Sequence, residues 1–202
     1  MNIIFDLDGT LICSKKRLHL VFCDLVKTDE LNFDAYWNLK FAGHTNQDIL
    51  KNKFGYSADE VQLFVEHWML SIESNQYLDM DSLIVGADKF LCKMSKTNDL
   101  YVCTARQSVP QVIEQLKKLG ILDFFKKIFV TEQIKSKKQL LIDSGLVFSS
   151  QDCFVGDTGH DIMTGKELGM TTFAVLSGFM SGAKLQLYSP DFIVNDITVL
   201  DI

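Results

Sequence analysis

The chain predicts an α/β fold in which a parallel sheet is covered by helices on both faces, and three observations carry that expectation. Short apolar runs recur at Asn2–Leu7, Leu100–Thr104, Lys127–Thr131, Asp152–Val155, Thr172–Leu176 and Phe192–Val194. Stretches of helical periodicity separate them, as parallel strands require, because each crossover needs a helix-length connection. The length of 202 residues suits one large domain, or a core carrying a smaller insertion.

The elements follow in order. The first strand is apolar until Asp6 and Asp8 enter it, and it turns at Gly9. A helix over Arg106–Leu119 places Val112, Ile113, Leu116 and Leu119 on one face and ends at Gly120. Ser108 and Gln111 stand at capping-box spacing at its start, and Ser136 and Gln139 repeat that spacing ahead of Leu140, Leu141 and Ile142. Asp161–Leu168 closes on Gly169. Right-handed βαβ crossovers are the default for such units. The segment between the first two strands is helical throughout and too long for one crossover. Leu18, Val21, Phe22 and Leu25 form one stripe. Ser57 and Glu60 cap a helix whose stripe is Val61, Phe64, Val65, Trp68, Met69 and Ile72. Both stripes read as core rather than ligand surface. Residues 14–80 are therefore expected to form an inserted all-helical domain, with 1–13 plus 81–202 as the sheet-bearing core.

Composition narrows the function classes. Asp and Glu number 26 against 20 Lys and Arg, a net charge of −6, which disfavours a nucleic-acid binder or a protein of anionic membranes. The five cysteines are scattered without zinc-site spacing, as expected in a reducing compartment. No signal-peptide pattern opens the sequence, and the uncharged stretch 168–183 is too short and glycine-broken for a bilayer span. A cytoplasmic protein is expected.

The most informative run is Ile3-Ile4-Phe5-Asp6-Leu7-Asp8-Gly9-Thr10. Strand alternation puts Asp6 and Asp8 on one side at the carboxyl end of a strand, where open α/β sheets bind ligands. Two acids there can divide the work of nucleophile and general acid/base. Average residue frequencies would place D-x-D-G-T in such a chain about once in ~500, so an accidental Asp-Gly turn is the weaker reading.

This run resembles the first motif, D-x-D-x-T, of the haloacid dehalogenase (HAD) superfamily of phosphohydrolases. Thr104, ending an apolar strand, resembles the second motif. Lys137 or Lys138, at the start of a helix, resembles the third, and Gly156-Asp157-Thr158-Gly159-His160-Asp161 resembles the fourth acidic pair. The resemblance implies a Rossmann-like core with a type-1 helical cap, Mg²⁺ as cofactor, and hydrolysis through an aspartyl-phosphate. It implies Asp6 and Asp157 as metal ligands, joined by the backbone carbonyl of Asp8, with Asp161 orienting metal-bound water. It makes Asp6 the nucleophile and Asp8 the general acid/base. Thr104, backbone N–H groups near Leu7 and Ala105, and the motif-three lysine become the donors that meet the phosphoryl oxygens. Lys137 is preferred because it is the first residue after the Ser136 cap, with Lys138 as the other candidate.

In the family's cap type a loop lowers a side chain over the site, and Gly43-His44-Thr45-Asn46-Gln47-Asp48 resembles that loop, so His44 is the specificity candidate. Arg106 would lie at the cleft rim, and Lys15, Lys16 and Arg17, at the start of the insertion, read mainly as a solvated cluster, with a contact from one of them to the distal end of the substrate as the alternative. The expected substrate is a small phosphorylated metabolite, as for phosphoglycolate phosphatases and related sugar-phosphate or nucleotide phosphatases, acted on by a monomer or homodimer. The competing readings are a β-phosphoglucomutase-like phosphotransferase and a non-catalytic binding protein on the same fold. Phosphonate hydrolysis is disfavoured, because that branch has a small residue where this chain has Asp8.

Overall fold

The computed structural model describes residues 1–201. The chain runs β1 (Asn2–Phe5), β2 (Ile12–Cys13), α1 (Lys15–Val26), α2 (Phe33–Phe41), α3 (Asn46–Phe54), α4 (Ala58–Ser71) and α5 (Asn75–Leu78). It continues through β3 (Ser82–Leu83), α6 (Ala87–Met94), β4 (Asp99–Thr104), α7 (Val109–Lys118), β5 (Phe125–Val130) and α8 (Lys137–Asp143). The last elements are β6 (Cys153–Gly156), α9 (Gly159–Glu167), β7 (Thr171–Val175), α10 (Gly182–Gln186) and β8 (Phe192–Val194). Among the described residues no helix is long and apolar enough to cross a membrane.

Six strands form one parallel sheet in the order β5-β4-β1-β6-β7-β8. The six apolar runs read from the sequence are these strands, with ends shifted by one or two residues. The first ends two residues early: pairing stops at Phe5, and the Leu7 carbonyl accepts the N–H groups of Leu11 (2.9 Å) and Ile12 (3.0 Å), which folds the chain into a tight turn. Alternation sends Ile3, Phe5, Val102 and Val155 into the apolar layer on one sheet face, and Ile4, Tyr101, Cys103 and Phe154 into the layer on the other. Because β1 pairs with both β4 and β6, the residues that follow these three strands emerge side by side at the sheet's carboxyl edge.

The helices α1–α5 lie between two short strands, β2 and β3, which pair antiparallel as Ile12 with Leu83 and Cys13 with Ser82. Two residues per strand are too few to leave a sequence pattern. The inserted helices have their own apolar cluster, built on Phe22, Tyr36, Trp37, Leu50, Val61 and Phe64. Of the three expected capping boxes, one is reciprocal. The Ser57 hydroxyl accepts from Glu60 N, and Glu60 accepts from Ser57 N at 2.8 Å. The other two are half-made, since the side chain of Gln111 donates instead to the Glu73 carbonyl (3.0 Å) and that of Gln139 to Asp143 (2.6 Å).

Phe154 is fully buried at the centre of the sheet. Phe154→Ala is expected to cost ~3–5 kcal/mol by leaving a cavity that the two strands flanking β6 cannot close, measured by urea unfolding followed in the far-ultraviolet.

Candidate active site

The sheet's carboxyl edge floors a cavity of about 710 Å³. Asp6 follows β1, Thr104 ends β4, Asp157 follows β6, Asp161 lies in the first turn of α9, and Lys137 is the first residue of α8; all five line this cavity. Ligand oxygens of Asp6, Asp157 and Asp161 all lie within 4.8 Å of one another, and all three residues are buried. The Lys137 ammonium bridges two of them, donating to Asp6 Oδ1 and, at 2.6 Å, to Asp161 Oδ1. The second Asp161 oxygen accepts from the N–H (3.0 Å) and hydroxyl (2.6 Å) of Thr158, closing a capping box that fixes the carboxylate at the helix start.

Asp157 is held from the other side, with Oδ2 accepting from Phe179 N at 2.7 Å. Two glycines make room for it. A Cβ on Gly178 would stand 1.9 Å from Asp157 Oδ2, and one on Gly9, whose φ is +85°, would stand 2.5 Å away. Asp157 Oδ1 is buried without any partner.

Burial pushes the Asp6 carboxyl up to about 7, with Asp161 adding to the effect and Lys137 opposing it. Burial, followed by Asp6 and Asp161, likewise raises Asp157 well above the ordinary carboxylate range. Lys137 is driven the other way from what burial dictates, because Asp161 and Asp6 outweigh desolvation and hold it firmly protonated. Three clustered acids against one ammonium leave an excess of negative charge, and one of their oxygens, Asp157 Oδ1, has no partner. This hard-oxygen donor set fits a divalent cation such as Mg²⁺.

Asp8 belongs to a second, adjoining cluster. Its carboxylate accepts from Arg106 Nη2 at 2.8 Å, from Arg106 Nε, and from Arg17 Nη2. Both arginines also bind Asp81, at 2.9 Å from Arg17 Nε and 3.3 Å from Arg106 Nη2, and Gln115 donates to Asp81 at 2.9 Å. Burial would raise the Asp8 carboxyl, but Arg106 and Arg17 overcome it and hold the group well below the usual carboxylate range. This ion pairing holds Asp8 as a weakly basic carboxylate, so it opposes both the proton-donor and the proton-accepting half of the role expected from the sequence for as long as both arginines grip it.

Other expectations are distributed unevenly. Ala105 lines the cavity. Lys138 points away and pairs with Glu167 on the surface at 3.0 Å. His44 is exposed and is not part of the cavity wall; the Thr45 and Asp48 that follow it form the capping box of α3. Arg17 and Arg106, expected on a solvated face and at a rim, are 2% and 4% exposed. The α4 stripe is not wholly core: Trp68, Met69 and Ile72 line the upper wall of the cavity together with Glu73. Asp81, Gln115 and Glu73 carried no sequence signal beyond the unpaired cations elsewhere in the chain that needed partners.

Comparison with known proteins agrees with this geometry. Residues 3–175 match the family model described as haloacid dehalogenase-like hydrolase. A pyrophosphatase PpaX from Oceanobacillus iheyensis is 26% identical over 97% of this chain and 92% of its own length. A phosphoglycolate phosphatase from Vibrio cholerae is 30% identical over 46% of this chain and 42% of its own. A solved haloacid dehalogenase-like family protein from Streptococcus pneumoniae superposes with a TM-score of 0.78 at 24% identity, covering 98% of this chain and 94% of that one.

Two outcomes follow from the charges. Asp6 and Asp157 bind protons more tightly folded than unfolded, so without metal they favour the folded state at low pH and lose that contribution as pH rises through their folded values. In chelator, the melting temperature is expected to fall between about pH 5 and 8, a window above the acid range in which Asp8 acts oppositely; a rise would contradict the assignment. Arg17→Met leaves Asp8 and Asp81 short of a cation and is expected to lower stability by ~3–5 kcal/mol, read by denaturant unfolding.

Proposed function

The chain belongs to the haloacid dehalogenase-like hydrolases, and on that footing we propose that it is a Mg²⁺-dependent phosphatase that hydrolyses a small phosphomonoester metabolite through an aspartyl-phosphate on Asp6. The observation that carries this reading is the buried trio of Asp6, Asp157 and Asp161, bridged by Lys137 and open to one cavity at the sheet's carboxyl edge.

Asp6, Asp157 and the backbone carbonyl of Asp8 would hold Mg²⁺, which supplies charge compensation between the anionic nucleophile and an anionic phosphoryl group. Asp161, fixed by Thr158, orients water around that position. A carboxylate oxygen of Asp6 attacks phosphorus as the bond to the ester oxygen breaks, and the leaving alkoxide takes a proton. The Thr104 hydroxyl, the Ala105 N–H and the Lys137 ammonium stabilise the charge on the equatorial oxygens. In the second half-reaction Asp8 accepts a proton from water, which attacks the aspartyl-phosphate, releases inorganic phosphate and restores Asp6. For Asp8 to protonate the leaving group in the first half and to take the proton from water in the second, its grip by Arg17 and Arg106 has to loosen, which links acid–base catalysis to movement where the inserted helices meet the core. The helices within residues 14–80 act as a cap over the core formed by 1–13 and 81–202, and closure keeps bulk water from the intermediate.

With Mg²⁺ and a panel of phosphorylated metabolites, the wild type is expected to release phosphate from at least one, and Asp6→Asn to lower turnover by a factor on the order of 10³ or more. Activity that survives in Asp6→Asn would remove the nucleophile from this scheme.

A further inference from the structure

Besides Ser14 Oγ and Asp157 Oδ1, two buried polar atoms of cavity-lining residues have no hydrogen-bond partner: Glu73 Oε2 and Arg106 Nη1. Both residues line the cavity that holds Asp6 and Asp8, and both are more than nine-tenths buried, at 7% and 4% exposure. Neither is loosely placed. Glu73 Oε1 accepts from Gln107 N at 2.8 Å, the Glu73 carbonyl accepts from Gln111 Nε2 at 3.0 Å, and the Gln107 side chain donates to the Met69 carbonyl at 2.9 Å. The end of α4 is thus fastened to the core loop that carries Arg106. Arg106 in turn binds Asp8, the residue assigned to proton transfer, so Arg106 stands beside the group that serves the leaving oxygen, with Glu73 fastened to the same loop.

A buried acceptor and a buried donor that both lack partners impose a desolvation cost, and a ligand that satisfies both removes it. A hydroxyl donates one hydrogen bond while accepting another, so one group can serve Oε2 and Nη1 together. A distal phosphate or carboxylate serves Nη1 alone and meets the Glu73 carboxylate with like charge. The local balance deepens that penalty: Asp8, Asp81 and Glu73 set three carboxylates against the two guanidiniums of Arg17 and Arg106, leaving one negative charge. The neighbouring wall of Leu18, Trp68, Met69 and Ile72 is apolar and suits the carbon face of a ring. The volume of about 710 Å³ is far more than a glycolate or a second phosphate would fill.

We propose that Glu73 and Arg106 read a hydroxyl of the leaving group, so that the substrate of this site is a hydroxylated, sugar-sized phosphomonoester rather than pyrophosphate or a carboxylated phosphate. The inference rests on the phosphatase reading above and deepens it.

The test measures phosphate release with Mg²⁺ from a hexose 6-phosphate, a pentose 5-phosphate, pyrophosphate, phosphoglycolate and p-nitrophenyl phosphate, whose leaving group offers no hydroxyl side group. Wild type, Glu73→Gln and Glu73→Ala are compared. The wild type is expected to favour a sugar phosphate in kcat/KM. Glu73→Ala is expected to raise KM for that sugar phosphate roughly 10–100-fold more than it raises KM for p-nitrophenyl phosphate. Glu73→Gln keeps an acceptor for Gln107 N and removes the negative charge, so it is expected to narrow the preference against pyrophosphate without loss of the fold. A wild-type preference for pyrophosphate or phosphoglycolate overturns the inference and leaves the phosphatase reading standing, as does an equal rise in KM for the sugar and aryl substrates in Glu73→Ala. No phosphate release from any substrate overturns both.

Discussion

Like charges crowd the carboxyl edge of the sheet. Asp6, Asp8 and Asp157 follow adjacent strands and Asp161 stands one turn further on, all buried or nearly so, and mutual repulsion in a low-dielectric site would protonate or scatter them unless cations were built in alongside. The chain answers with cations of two kinds. Lys137 bridges Asp6 and Asp161 as a single point charge, which leaves the trio short of positive charge and one Asp157 oxygen free. Arg17 and Arg106 match Asp8 and Asp81 one for one with planar forks. One subsite is therefore left hungry for a divalent cation, and its neighbour is already neutralised. That difference separates two aspartates only two residues apart in sequence into an acid-rich pole and an ion-paired one.

The arginines also decide how the inserted helices sit. Arg17 is on α1, Asp81 is in the connection back to the core, and Asp8 and Arg106 belong to the core itself. A buried ion cluster of this kind contributes little net stability compared with apolar packing, yet breaking it is costly. Its effect is orientation: it fixes the angle at which the helices meet the sheet. A second tie reinforces it, since Trp37 of α2 stacks on Phe179 at 5.6 Å and the Phe179 N–H holds Asp157. The upper wall of the cavity and the residues on its floor are thus positioned through shared side chains, so movement of the helices is felt at Asp8 and Asp157 together.

Much of the fold was legible in the sequence because it rests on local patterns. Each of the six strands is an apolar run with turn residues beside it, and the D-x-D-G-T run carries its chemistry in consecutive residues. What was not legible depends on long-range pairing. Arg17 reads as part of a solvated Lys-Lys-Arg cluster until the fold brings Asp81 to it, 64 residues away. Arg106 reads as a rim residue until Asp8 and Gln115 surround it. The α4 stripe illustrates a different limit, because helical periodicity reports which residues leave water but cannot separate packing against protein from facing a ligand cavity. Loop resemblance makes His44 the specificity candidate, whereas the residues that line the cavity from the inserted helices are Arg17 and Leu18 of α1 and Trp68, Met69, Ile72 and Glu73 at and just past the end of α4.

The central claim is that Asp6 becomes covalently phosphorylated. Rapid acid quench during turnover of a competent substrate, followed by peptide mapping by mass spectrometry, reads this directly. The account expects one phosphoryl group on the peptide that carries Asp6, absent in Asp6→Asn and lost on hydroxylamine treatment. Turnover with an unmodified Asp6 peptide, or with the label on another residue, would contradict it.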